Sequence, residues 1–164
     1  KNAIEPEFNS GSGDFHFSNG KLNLKAPGGF AAAVGGKMPD TCKIEVTAKF
    51  GKGTRECGIM LRCSEDLEKA YYLRLEPANH KFVFDMWPRD RSEVTRMVEL
   101  DRDIALTAGE PVRFRIFIDG NKGVAYVNDR IAMNFRAYDL PEGDWGVFVS
   151  EGSADFDHLR VATL

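Results

Sequence analysis

Along most of this 164-residue chain, apolar and polar residues alternate at period two, and turn-forming residues interrupt the alternation at short intervals. Successive side chains of a strand point to opposite faces, so the pattern describes strands with one buried face. Helical segments do not alternate with the strands, which sets aside a parallel βαβ architecture. The expected class is all-β: an antiparallel two-sheet β-sandwich, a jelly roll, with about ten to twelve short strands.

The segment from Tyr71 to Trp87 carries the sharpest constraint. Tyr71, Leu73 and Leu75 share one face; Tyr72, Arg74 and Glu76 share the other. Pro77-Ala78-Asn79-His80 reverses the chain. On the return, Phe82, Phe84 and Met86 share a face opposite Val83, Asp85 and Trp87. Pairing Leu75 with Phe82, Leu73 with Phe84 and Tyr72 with Asp85 puts both apolar sets on one side. A slip of one residue would separate them, so the register is well specified.

Other segments fall into place around this hairpin. Asn19-Gly20 predicts a type I′ turn between Phe15–Phe17 and Leu22–Leu24. Lys43 to Phe50, Ile59 to Cys63, Val112 to Ile118, Val124 to Asn128 and Ile131 to Phe135 read as strands. The last two expected strands are Trp145 to Ser150 and Phe156 to Val161. Gly28-Gly29-Phe30 and Gly35-Gly36 read as loops. The stretch after Ser64 and the region from Asp101 to Leu106 each have room for a helical turn. With no linker visible, residues 1–164 are expected to form a single sandwich domain excised from a larger protein.

Composition excludes several function classes. No apolar run approaches the ~18 residues of a membrane helix, and no signal-peptide pattern is expected at Lys1. The net charge of −3, without a basic stripe, argues against nucleic acid as a partner. Cys42, Cys57 and Cys63 are odd in number, and Cys57 and Cys63 share parity on one extended segment, too far apart to bridge. With no CxxC pair or Cys/His cluster, they read as reduced structural thiols rather than zinc ligands. No cofactor is expected. Asp119, Asn121 and Asp129 near a turn, and Asp155 and Asp157 near the last strand, leave a structural calcium open. Turn chemistry explains them equally well.

The face opposite the apolar one is the informative feature. It displays Tyr72, Arg74, Glu76, Asp85 and Trp87, and the neighbouring segment adds Arg62. Planar guanidinium forks and carboxylates satisfy vicinal hydroxyls two at a time, and aromatic rings pack on the C–H faces of a sugar. The competing reading is a solvated ion-pair lattice, which stabilises little. Trp87 leads into Pro88, which ends the strand, and Arg89; this is either one wall of a pocket or a plug at the sandwich edge. Glu76 and Asp85 share a face as the carboxylates of a glycosidase must, but Arg62 and Arg74 beside them would hold both ionised. His16, His80 and His158 lie in separate segments, and no nucleophile–base constellation is visible. Catalysis by this chain is not expected.

The stretches Gly58 to Pro77, Phe82 to Arg89, Ala125 to Asp129 and Gly143 to Gly152 together resemble a known group. They are similar to the concanavalin A-like lectin domains that follow the fructan-cleaving catalytic domains of glycoside hydrolase family 32, and to family 66 carbohydrate-binding modules. The resemblance covers roughly the last two-thirds of the chain. It implies a jelly roll without chemistry of its own and a shallow pocket for the terminal fructosyl unit of levan or a similar β-fructan. That pocket uses acidic, Arg and aromatic side chains, the types at Arg62, Arg74, Asp85 and Trp87; Tyr138 and Glu151 fall in matching motifs. The partners it implies are an oligo- or polysaccharide and a covalently linked catalytic domain. The parent would be a secreted or cell-surface bacterial glycosidase, although the thiols leave a cytoplasmic one open. Two further readings stand beside the binding module: an accessory domain that packs on a catalytic partner and stabilises it, and a small lectin-like hydrolase.

Overall fold

The computed structural model describes residues 3–4, 6–87 and 100–164. Their strands are β1 (Ala3–Ile4), β2 (Ser10–Ser12), β3 (Asp14–Ser18), β4 (Lys21–Lys37), β5 (Thr41–Phe50), β6 (Glu56–Cys63), β7 (Ala70–Glu76), β8 (Lys81–Trp87), β9 (Leu100–Asp103), β10 (Val112–Asp119), β11 (Lys122–Val127), β12 (Ile131–Arg136) and β13 (Asp144–Thr163). Every pairing is antiparallel. The one helical piece among the described residues is a 3₁₀ turn at Pro77–Asn79.

Two layers share two long strands. One runs β3, the first half of β4, the second half of β13, then β5, β10, β11 and β12. The other runs β2, the second half of β4, the first half of β13, then β6, β7, β8 and β9. Hydrogen bonding is therefore continuous through both layers, yet apolar faces meet between them. Phe84 of β8 stacks on Phe135 of β12 at 4.5 Å, and Phe82 meets Phe114 of β10 edge-on at 6.0 Å. The jelly-roll sandwich expected from the alternation is present.

The central hairpin has the predicted register: Leu75 pairs with Phe82, Leu73 with Phe84 and Tyr72 with Asp85. Asn19 and Gly20 take the positive φ values, 52° and 73°, of the expected turn. Three expectations change. The two last strands are one 20-residue strand, bent at bulges, with Glu151 at φ 49° at one of them. The glycine-rich loops lie inside β4, where Ala31, Ala32 and Ala33 pair with Val149, Phe148 and Val147. Gly28, at φ 81°, sits in the irregular stretch between the Ala26–Gly152 and Phe30–Ser150 pairs, where the backbone needs a left-handed residue. Leu100–Asp103 is strand β9 rather than helix, and Ser64–Lys69 is a turn in which Ser64 Oγ donates to Asp66 Oδ1 at 2.6 Å.

A fourth change matters for the site. Arg62 has φ 51°, which breaks the alternation of β6. Cys57, Ile59 and Leu61 face the main core, but Cys63 joins a smaller apolar cluster with Met60 and Phe148. Cys57 and Cys63 thus lie on opposite faces of the layer, contrary to the shared parity read from the sequence. All three thiols are free and buried, and burial pushes Cys42 and Cys63 up to about 11 and Cys57 up to about 12.

Candidate functional site

The outer face of the β6–β7–β8 layer is built in rungs. One rung is Phe148 of β13, Gly58 of β6, Arg74 of β7 and Val83 of β8. The next is Gly146, Met60, Tyr72 and Asp85. Trp87 stands one rung further, opposite Ala70. On the other side of Arg74 a rung joins Phe30 of β4, Ser150 and Glu56. A depression of about 600 Å³ crosses these rungs and has Trp87, Asp85, Arg74, Tyr72, Phe148 and Phe30 in its lining.

Arg74 is the electrostatic centre. Its Nη1 pairs with Asp85 Oδ2, its Nε donates to Glu76 Oε2 at 2.9 Å, and Glu56 Oε1 lies 3.9 Å from the same Nε. Both Arg74 and Asp85 are buried, so this is not a solvated lattice. Burial alone would weaken the charge of Arg74, but the hydrogen bond and charge of Asp85, with those of Glu76 and Glu56, hold its pKa above the usual value. Burial, the largest single influence, would likewise raise Glu76, yet the hydrogen bonds from Arg74 and Asn79 and the charges of Arg74 and Arg55 together outweigh it and its pKa is lowered. Glu56 goes the other way: burial raises it, against the charge of Arg74. One guanidinium among three carboxylates leaves an acidic excess, which accepts hydrogen bonds from neutral hydroxyls and repels anions.

The aromatic part lies next to the charges. Phe148 is buried, Tyr72 meets it edge-on at 4.9 Å, and Phe30 stacks on it at 5.9 Å. Burial pushes the Tyr72 hydroxyl up to about 12, so the ring is a neutral donor and platform. Trp87 is 54% exposed, a large ring turned to solvent at the wall of the depression.

The structure therefore brings together Tyr72, Arg74, Asp85 and Trp87 in the lining of the depression, as the hairpin predicts; Glu76 bonds to Arg74 but does not itself line it. Arg62 is a correction. Its positive φ turns it between the layers, where Nη1 donates to the carbonyls of Ala137 at 3.2 Å and Leu140 at 3.1 Å, and Nη2 to that of Gly120. It is a buried clamp on the β10–β11 turn and the 137–140 segment. Glu151 is exposed and paired with Arg55 Nη1 at 2.5 Å; it reaches the depression only through Arg55. Tyr138 is 66% exposed and does not line the depression. Arg89 lies outside the described residues. Phe30, Arg55, Glu56 and Phe148 also line the depression and were not anticipated. Phe148 sits in the all-apolar run Val147-Phe148-Val149, whose facing no pattern reveals, and Phe30 lies in the segment read as a loop. Of the acidic residues weighed for calcium, Asp119 accepts from Thr41 at 3.1 Å, Asp129 pairs with Arg113 and Arg115, and Asp155 accepts from Asn23 at 2.7 Å.

Solved structures place the fold in a class. The carbohydrate binding module CBM66 from Bacillus subtilis matches with a TM-score of 0.77 and 13% identity, over 92% of both chains. The fructosyltransferase from A. japonicus matches with a TM-score of 0.70 and 14% identity, over 94% of this chain and 26% of the enzyme. A Caenorhabditis elegans galectin matches with a TM-score of 0.54 and 10% identity, over 88% of this chain and 95% of that one. The architecture is thus a lectin-like β-sandwich that stands alone in some proteins and makes up about a quarter of the fungal enzyme. Residues 10–163 match the model described as glycosyl hydrolases family 32 C terminal, and the chain belongs to that family. No curated protein is significantly similar in sequence.

Proposed function

We propose that this chain is a non-catalytic carbohydrate-binding module that holds the terminal fructosyl unit of a β-fructan such as levan and carries an attached glycoside hydrolase to its polymer. The observation that supports this reading is the buried Arg74–Asp85 pair, braced by half-buried Glu76, in the depression that the exposed ring of Trp87 also lines. The carboxylates oriented by Arg74 accept from sugar hydroxyls, and spare guanidinium protons donate to sugar oxygens. The indole face takes the C–H side of the ring. Membership of the family 32 C-terminal group makes a fructan the first glycan to test. Tethered to a catalytic domain, even a weak site would raise the enzyme's effective concentration at the polymer.

Calorimetry of the domain with fructose, levan and inulin tests the reading. Saturable heat with a fructan, lost in Trp87→Ala, is the expected result. Heat with none of these sugars, nor with other glycans, would overturn it. If deletion of the module then also lowered the stability of the parent enzyme, the chain would be an accessory packing domain.

A further inference from the structure

The depression is too long for one sugar ring. Asp85 and Trp87 lie on β8, Arg74 on β7 and Phe30 on β4. The strand order from β7 through β6 and β13 to β4 separates Arg74 from Phe30 by three strand spacings, about 14 Å across the sheet. Phe30 also lies one rung away from Arg74 along the strands. Both residues nevertheless line the same depression, whose volume of about 600 Å³ lies in the range of sites that enclose a multi-ring ligand.

The two ends differ in chemistry. At the Trp87 end, the Arg74 cluster supplies fixed charges for close, directional hydrogen bonds. Toward β4, the surface is a stack of rings, Phe30 on Phe148, with Ser150 and the Arg55–Glu151 pair along its edge. Phe30 is 39% exposed although it is a large apolar ring on the face of a strand. A packing role is already filled by Phe148 beneath it, so the exposed ring is free to meet a ligand. Between the two ends, Gly58 presents no side chain, which keeps the path across β6 low. Nothing larger fits there, because a Cβ at Gly58 would overlap the carbonyl oxygen of Leu73.

We infer that the site has a second station, formed by Phe30, Phe148 and Ser150, which takes the sugar units that follow the terminal one. This inference rests on the binding reading given above and adds the length of ligand recognised: a chain of at least two linked units, lying across the strands, rather than an isolated end group. The second station is an aromatic platform and tolerates different ring orientations. The first station sets the identity of the terminal unit.

The test is a calorimetric series on this domain with fructose, the di- and trisaccharide of levan, and the matching inulin-type pair. The expected result is a Kd that falls about fivefold or more from the monosaccharide to the di- or trisaccharide, as one added aromatic contact implies. Phe30→Ala is expected to raise the trisaccharide Kd by a similar factor, with the melting temperature within a few degrees of the parent chain. Equal Kd values for fructose and its oligomers overturn the second station while leaving the first intact. An unchanged trisaccharide Kd in Phe30→Ala overturns it as well. Should no member of the series bind, both the station and the underlying reading fall together. If Phe30→Ala does not fold, Ser150→Trp, which fills the same end of the depression, replaces it; oligomer binding unaffected by that ring overturns the proposal.

Discussion

Arg74 concentrates both the stability and the recognition argument in a single side chain. Its guanidinium separates three carboxylates, one on its own strand and one on each neighbour, with a side chain only 11% exposed. Removing one partner of a buried ion pair leaves the desolvation cost of the others uncompensated, so Arg74→Met is expected to cost about 3 kcal/mol in urea denaturation and to abolish glycan binding. Glu56 behaves in the opposite sense. Its pKa is raised by burial, so its protonated form is the one the fold favours and its ionised form is costly. The stability it contributes is present at low pH and is lost as pH rises through its folded value. Glu56→Gln is therefore expected to stabilise the domain at neutral pH, and the gain should vanish below about pH 4, where a normal Glu is protonated. Urea midpoints at the two pH values check this. A variant less stable than the parent at neutral pH would show that the ion pair with Arg74 outweighs burial.

At the level of elements, the β6–β7–β8 meander turns sequence alternation into a site. Strand β6 does this with two unusual residues. Gly58 lets β7 approach closely, and a Cβ there would stand 2.9 Å from the Cα of Arg74 besides overlapping Leu73. Gly58→Ala should force the strands apart and cost on the order of 3 kcal/mol, as overpacking does; a melting temperature within a degree or two of the parent would show that the strands yield freely. Arg62 ends the same strand with a bulge and fastens the two layers through three carbonyls. Arg62→Leu would leave the buried Ala137 carbonyl without its donor, at about 1–3 kcal/mol, with a smaller loss at the part-buried carbonyls of Leu140 and Gly120. Because Arg62 points between the layers and not into the depression, its loss should lower stability without changing the Kd of the folded protein. A changed Kd at full occupancy of the fold would return Arg62 to the site.

For the whole molecule, the sandwich is held by its core and not by cross-links. The three thiols are free, buried and raised well above neutral pH, so none should react with a thiol reagent in the native state and all three should react in denaturant. A native-state reaction at any cysteine would contradict its burial. The sequence alone determined the all-β class, the central hairpin and the residues Tyr72, Arg74, Glu76, Asp85 and Trp87 on its outer face. Period-two sorting on two linked strands permits one register, and that register carries the polar side chains with it. Only the tertiary structure decided the rest. A bulge reverses parity without altering composition, so the inward turn of Arg62 and the separation of Cys57 from Cys63 leave no trace in the residue pattern. Glycines that read as a loop proved to be the bend of β4, because backbone pairing with β13 overrides their weak strand preference. Phe30, Glu56 and Phe148 line one depression with Arg74 only because β13 places β4 and β6 on either side of itself, and that pairing between distant segments is decided by the packed core, not by any local run of residues.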